Sequence, residues 1–418
     1  MRKVIVSFSK KILEGFFQLP SSKSISSRLL IIRYLSGGLV QPADLSDAAD
    51  VVLLEKVLGE IGCNPATGLS MEKLLDAGDS GTAMRFLTAL LAVTPGRYCL
   101  TGTPGLIRRP VGALVEALRH LGAHIDYTER EGYPPLRFGE EKASGGTVSI
   151  ESGTSSQYLS ALLLIAPVLK HGLSLRIAGT PVSWPYVEMT LSLLKRSGIT
   201  VTLTENEYVI RPQSFTAASI PVEPDWSSAA FWYEMAALSP QADLVLCGLK
   251  PDSIQGDRIA ASLFRCLGVE TRPDPKGIRL VKTSRPASPG TIHMAGCPDL
   301  VLPFATACAM LAVSAEITGV GHLQLKESPR LTSFCHEMKK TGAGVSFSED
   351  GILHVAGNQP AYHPGVAFDA WNDHRIAMSL APLAIPCGTV TIRNPRVTAK
   401  SYPGFWDELR KAGFDLQS

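Results

Sequence analysis

The chain has 418 residues, 45% of them apolar and 19% charged, which is too long for one ordinary core, predicts two domains, and excludes a disordered or fibrous chain. Forty Lys and Arg against 38 Asp and Glu leave a net charge of +2, too even for binding nucleic acid through a broad basic face, so any anion site must be local. The eight cysteines form no C-x-x-C pair and no cluster with histidine, which predicts reduced, mostly buried thiols and no metal.

Met1–Val6 alternates as a strand and lacks the apolar stretch and cleavage site of a secretory signal. Next, Pro20-Ser-Ser-Lys23-Ser24-Ile-Ser-Ser-Arg28 leads into an apolar helix predicted over 29–35, gathering hydroxyls and cations at a helix N-terminus, where phosphate is favoured. Ser24 and Arg28 are spaced to share one helical face. The same residues read equally well as a Ser-rich N-cap with two surface cations.

Gly78-Asp79-Ser80-Gly81-Thr-Ala-Met-Arg85 contains the Gly-Asp-Ser-Gly of chymotrypsin-like proteases. Those proteases are all-β, whereas 86–92 reads as a helix, so the phrase is a glycine turn opening that helix. Arg109-Pro110 follows, and then Gly153-Thr-Ser155-Ser156-Gln157, which places hydroxyl and amide donors ahead of an apolar helix. The apolar run 159–169 is interrupted by Ser160 and Pro167 and is too short to span a bilayer. A cytoplasmic location with no membrane partner is expected.

An amphipathic helix, a glycine cap and a short alternating run recur at Gly62, Gly122, Gly198, Gly268, Gly342 and Gly413, at intervals of about 60 to 76 residues. That spacing suits a βαβ-containing unit, and hairpins are predicted in it, pairing 199–203 with 208–210 and 345–347 with 352–355. Six units divide into two lobes of three, with the proline-rich 221–225 as a crossover.

In the second half stand Cys297-Pro-Asp299, Lys326-Glu327-Ser-Pro-Arg330, Asn372-Asp-His374-Arg375 and Thr398-Ala-Lys400. Any one of these reads best as an exposed salt bridge worth about 1 kcal/mol or less. As a set with Arg109, they read as a dispersed constellation facing an interlobe cleft. No Walker lysine, Rossmann or H-E-x-x-H motif is present.

Taken in order, these phrases, with R-P-x-x-x-L, S-x-P-Y at Ser183–Tyr186, Q-G-D at Gln255–Asp257 and T-x-K-[ST]-[FY]-P at the end, resemble the 5-enolpyruvylshikimate-3-phosphate synthase family over nearly the whole chain. The resemblance implies an α/β fold of two similar domains, each of three βαβαββ repeats in an inside-out α/β barrel. The first domain would comprise residues 1–20 and 225–418 and the second 21–224. It implies a transferase of the shikimate pathway, which makes aromatic amino acids and is the glyphosate target. The enzyme would be monomeric and cofactor-free, joining shikimate 3-phosphate and phosphoenolpyruvate through a tetrahedral adduct.

By the same resemblance Lys23, Ser24, Arg28, Ser155, Ser156, Gln157, Ser183, Tyr186, Asp299 and Lys326 would hold shikimate 3-phosphate. Phosphoenolpyruvate would be surrounded by Lys23, Gly81, Arg109, Gln157, Arg330, His374, Arg375 and Lys400. Asp299 would deprotonate the attacking hydroxyl, Glu327 would shuttle the methylene proton, and Lys400, with Lys23 at the reacting centre, would assist the departing group. The chain departs from the family's usual residues at Ser21, Ser27, Asp79, Phe86, Trp184, His322 and Pro329. Two rivals are the transferase acting on UDP-N-acetylglucosamine, whose mobile-loop cysteine has no clear counterpart here, and an RNA 3'-phosphate cyclase, which the near-neutral charge disfavours.

Overall fold

The computed structural model describes residues 2–62, 72–151, 155–179, 182–204, 207–361 and 363–418. The chain forms two compact units, one of Met1–Ser22, Asp47–Ala49 and Glu223–Ser418, the other of Lys23–Ser46 and Asp50–Val222.

Among the described residues the first unit has three four-stranded sheets. In one, Gly290–His293 runs parallel to Ser314–Thr318, which pairs antiparallel with Leu353–Ala356, itself paired with Val345–Phe347. The helices Val301–Met310 and Arg330–Met338 make the connections, giving βαβαββ in chain order. In the second unit the same plan appears in Lys73–Asp76 beside Tyr98–Thr101 and in Gly146–Glu151 beside Leu173–Ala178, each completed by a hairpin. A further parallel pair joins Val40–Ala43 to Ala218–Pro221.

The helices are of two kinds, for a compositional reason. The first helix of a repeat is largely apolar and buried, in the first unit entirely so: every residue of Trp226–Leu238, Val301–Met310 and His374–Leu380 is buried. These helices contact one another, as do Lys23–Leu35, Gly81–Leu91 and Ser156–Ile165 in the other unit. A helix without a polar face must sit inside. The second helix of a repeat, such as Arg330–Met338 or Gly112–His120, has one apolar stripe and stays peripheral.

The predicted hairpins form in slightly shifted registers, Thr202–Thr204 with Glu207–Ile210 and Val345–Phe347 with Leu353–Ala356. Gly122, Gly198, Gly268, Gly342 and Gly413 all have positive φ, as the helix-capping reading requires. Gly62 ends the helix Ala49–Gly62, and the alternating run expected after it lies outside the described residues. Two helix starts are corrected. The helix predicted over 29–35 begins at Lys23, and the one predicted over 86–92 begins at Gly81. Ser80 caps the second of these helices, its Oγ accepting from Ala83 N at 3.2 Å, and in the first Ser27 Oγ donates back to Lys23 O at 2.9 Å, so the polar residues are accommodated within the first turns. The seven described cysteines are free thiols.

Candidate active site

In each unit several of the residues singled out in the sequence stand at helix N-termini: Lys23, Gly81 and Ser156 in the second, and Arg330, His374 and Arg375 in the first. There, free N–H groups and the helix dipole favour anions.

In the second unit Lys23 opens its helix and lies 3.3 Å from Asp50. Arg28, one turn further in, is only 2% exposed. Its Nε donates to Thr190 Oγ1 at 2.7 Å, Nη1 to Ser24 O at 2.9 Å, and Nη2 to Ser160 Oγ and Tyr186 O at 3.1 and 3.0 Å. Burial lowers its pKa to about 10, which leaves it charged at neutral pH. Phe86, one of the departures from the family pattern, places its ring 5.4 Å from this guanidinium. Arg28 thereby locks the helix Lys23–Leu35 to Trp184–Arg196, and Ser183 enters the latter in a left-handed conformation at φ +58°.

Gly81 shows why a side chain is excluded there. A Cβ at that position would lie 2.8 Å from both terminal nitrogens of Arg109. The guanidinium therefore lies directly on the start of the helix Gly81–Leu91. Pro110 O, next to it, accepts from Arg85 Nη2 at 2.8 Å and from Tyr158 hydroxyl at 2.6 Å, which fixes the Arg109 loop to two buried helices. Gln157 Nε2 donates to Thr82 Oγ1 at 3.0 Å, joining the starts of those same helices, while Ser155 caps Ser156–Ile165 through Gln157 N. Asp79 accepts a hydrogen bond from Thr103 hydroxyl.

In the first unit the reading of separate exposed salt bridges is overturned for the residues around Arg330. That side chain is 2% exposed, with Nε 2.8 Å from Asp373 Oδ2, Nη2 2.6 Å from Glu327 Oε2 and Nη1 3.8 Å from Asp299 Oδ1. Glu327 Oε1 is 3.4 Å from Lys400 Nζ, and Arg375 pairs with Asp299. Burial pulls the Arg330 pKa down, but Asp373, Glu327 and Asp299 reverse this and leave it above the usual arginine range. A buried charge needs such partners. Asp373 also caps its helix through Arg375 N at 3.0 Å, and His374 is buried beside it with Nδ1 4.0 Å from Asp373 Oδ1. Lys326 follows the turn Gly321–Leu325. Burial and then Lys326 lower the His322 pKa to about 4, so that ring is neutral.

Two residues of this cluster carry little signal of their role in the sequence. Asp373 was legible only as part of N-D-H-R, and Asp257 as the last residue of Q-G-D. Asp257 is 2% exposed, accepts from Ser227 Oγ at 2.5 Å and has its pKa raised to about 7, first by burial and second by the Asp299 charge. The start of a third buried helix, Trp226–Leu238, is thus drawn into the same cluster. Cys297 is not an activated nucleophile, since burial and both of these carboxylates push its thiol up.

Each unit thus presents cations on helix starts, and the first adds carboxylates held against arginine and lysine, an arrangement able to bind anions and move protons. The fold is that of the enolpyruvyl transferases. Over 100% of both chains it is similar to EPSP synthase from Acinetobacter baumannii, with TM-score 0.76 and 23% identity. Over 100% of this chain and 98% of the other it is similar to the enolpyruvyl transferase NikO from Streptomyces tendae, with TM-score 0.74 and 16% identity. The family model for EPSP synthase (3-phosphoshikimate 1-carboxyvinyltransferase) matches residues 9–409. A 3-phosphoshikimate 1-carboxyvinyltransferase of Bacteroides fragilis is 43% identical over 97% of each chain, and one of Methanoculleus marisnigri is 33% identical over 96% of this chain and 97% of its own. The chain belongs to the EPSP synthase family. Among the described residues no helix is long and apolar enough to cross a membrane.

Proposed function

We propose that the chain transfers the enolpyruvyl group of phosphoenolpyruvate to the 5-hydroxyl of shikimate 3-phosphate and releases inorganic phosphate, with the residues above in the following roles. The observation that carries this reading is the run of ion pairs Lys400–Glu327–Arg330–Asp299–Arg375. It sets two carboxylates that can exchange protons among three cations that can hold anions.

In the addition step the 5-oxygen bonds to C2 of phosphoenolpyruvate, its proton leaves to Asp299, and C3 gains a proton from Glu327. In the elimination step C3 returns a proton to Glu327, the double bond re-forms, and phosphate departs from C2, assisted by Lys400 and taking up the proton that Asp299 received. Lys23, Gly81, Arg109, Gln157, Arg330, His374, Arg375 and Lys400 hold phosphoenolpyruvate. Lys23, Ser24, Arg28, Ser155, Ser156, Gln157, Ser183, Tyr186, Asp299 and Lys326 hold shikimate 3-phosphate. Arg28 acts mainly by fixing Ser24 and Tyr186, because four of its N–H groups already donate within the protein. Charge-assisted contacts of about 1.5 to 3 kcal/mol each offset the desolvation of two multiply charged substrates.

The test is phosphate release from phosphoenolpyruvate with each acceptor. Release is expected with shikimate 3-phosphate. Release with UDP-N-acetylglucosamine alone would overturn the reading.

A further inference from the structure

The loop Asp369–Asp373 joins the strand Val366–Asp369 to the helix His374–Leu380 and presents Asp373, His374 and Arg375. Its backbone is strained. Trp371 and Asn372 lie consecutively at φ +51° and +54°, a left-handed conformation that bulky side chains rarely adopt. Such strain persists only where the surroundings over-determine it. Packing does not supply that restraint at Trp371, which is 41% exposed and meets the His336 ring edge-on at 5.7 Å.

Hydrogen bonds do. Glu337 is fully buried; its Oε1 accepts from Trp371 Nε1 at 2.9 Å, and its Oε2 accepts from Asp369 N at 2.9 Å and from Lys340 Nζ at 2.6 Å. Lys340 also donates to Ala367 O at 3.1 Å. Asp369 Oδ1 accepts from Trp371 N at 2.7 Å, and Asn372 Oδ1 accepts from Asn394 Nδ2 at 2.6 Å. The helix Arg330–Met338 that carries Glu337 in its last turn begins with Arg330, bonded to Asp373. One helix therefore grips the loop at both ends.

We propose that Glu337 is a positioning residue, whose two bonds to Trp371 and Asp369 hold the loop in its left-handed conformation and so deliver Asp373 and Arg375 to the ion-pair network. The proposal rests on the assignment of Arg330 and Arg375 to phosphoenolpyruvate. Loss of the clamp lets the loop relax, which moves Arg375 and weakens phosphoenolpyruvate binding, and it reaches proton transfer only indirectly, through the pair of Arg375 with Asp299.

The test contrasts two substitutions of Trp371 in the full chain. Trp371→Phe keeps a ring and the strain but removes the N–H, whereas Trp371→Gly removes the ring and also the cost of the left-handed backbone. Glu337→Gln and Trp371→Phe are each expected to raise KM for phosphoenolpyruvate about tenfold with a smaller change in kcat. Trp371→Gly is expected to stay near wild type, and the double variant Glu337→Gln/Trp371→Gly to recover most of the loss. A glycine variant worse than the phenylalanine one, or no recovery in the double variant, would mean that the ring merely packs and would overturn the proposal. Normal KM in Glu337→Gln and Trp371→Phe, with Glu327→Gln inactive, would overturn the clamp alone. Normal turnover in Glu327→Gln would instead withdraw the site assignment beneath it.

Discussion

Lys400 Nζ lies 3.4 Å from Oε1 of Glu327, while the other oxygen of that carboxylate is 2.6 Å from Arg330 Nη2. Glu327 is therefore held between a fixed arginine and a lysine, so its direction is set before substrate arrives. Glu327→Gln and Lys400→Ala should each lower kcat by about 10² to 10⁴, the range of a general acid–base contribution. Neither side chain fills core volume, so melting temperature should move by only a few degrees. Phosphate release and thermal melts of the same preparations check both halves, and near-normal turnover in either variant contradicts the roles assigned.

Gly81→Ala should act on binding. The added methyl would lie 2.8 Å from the terminal nitrogens of Arg109 and push the flexible end of that side chain off the helix start. If the lost contact is worth about 1.5 to 3 kcal/mol, KM for phosphoenolpyruvate rises roughly 10- to 150-fold. The melting temperature should hardly change, because only a side-chain tip is displaced. An unchanged KM would remove Arg109 and Gly81 from the phosphoenolpyruvate contacts.

Asp257 gives the stability a predictable pH dependence. Its pKa is raised from 3.8 to about 7, by burial first and the Asp299 charge second. Between those values the native protein binds a proton that the unfolded chain has released. The stabilising contribution is thus complete below about pH 4 and is lost as pH rises towards 7, at no more than about 1.4 kcal/mol per pH unit. Asp257→Asn removes that ionisation, so the variant should gain on the wild type as pH rises and the difference should level off above about 7. Urea denaturation of both proteins across this range measures it, and parallel curves would show that Asp257 ionises freely.

Much of the fold was legible in the amino-acid order, because helices apolar on every side and glycines at a regular spacing have local causes. A helix such as Val301–Met310 has no polar face to show to water, and Gly268 and Gly342 stand where the chain needs a left-handed turn. The identity of the chemistry was legible too, since phrases such as N-D-H-R and K-E-S-P-R place charged groups at element junctions in a recognisable order. What the tertiary structure alone decided is which charge meets which. Arg330 meets Glu327, three residues away, as helical spacing allows, but its next shortest partner is Asp373, 43 positions on. The buried pairing of Asp257 with Ser227, 30 positions apart, likewise has no local signal. Nor does the rest of Arg109 on Gly81. Spacing along a helix fixes neighbours within two turns, whereas pairs between helices depend on how apolar surfaces pack, and only that packing turns scattered charges into a site.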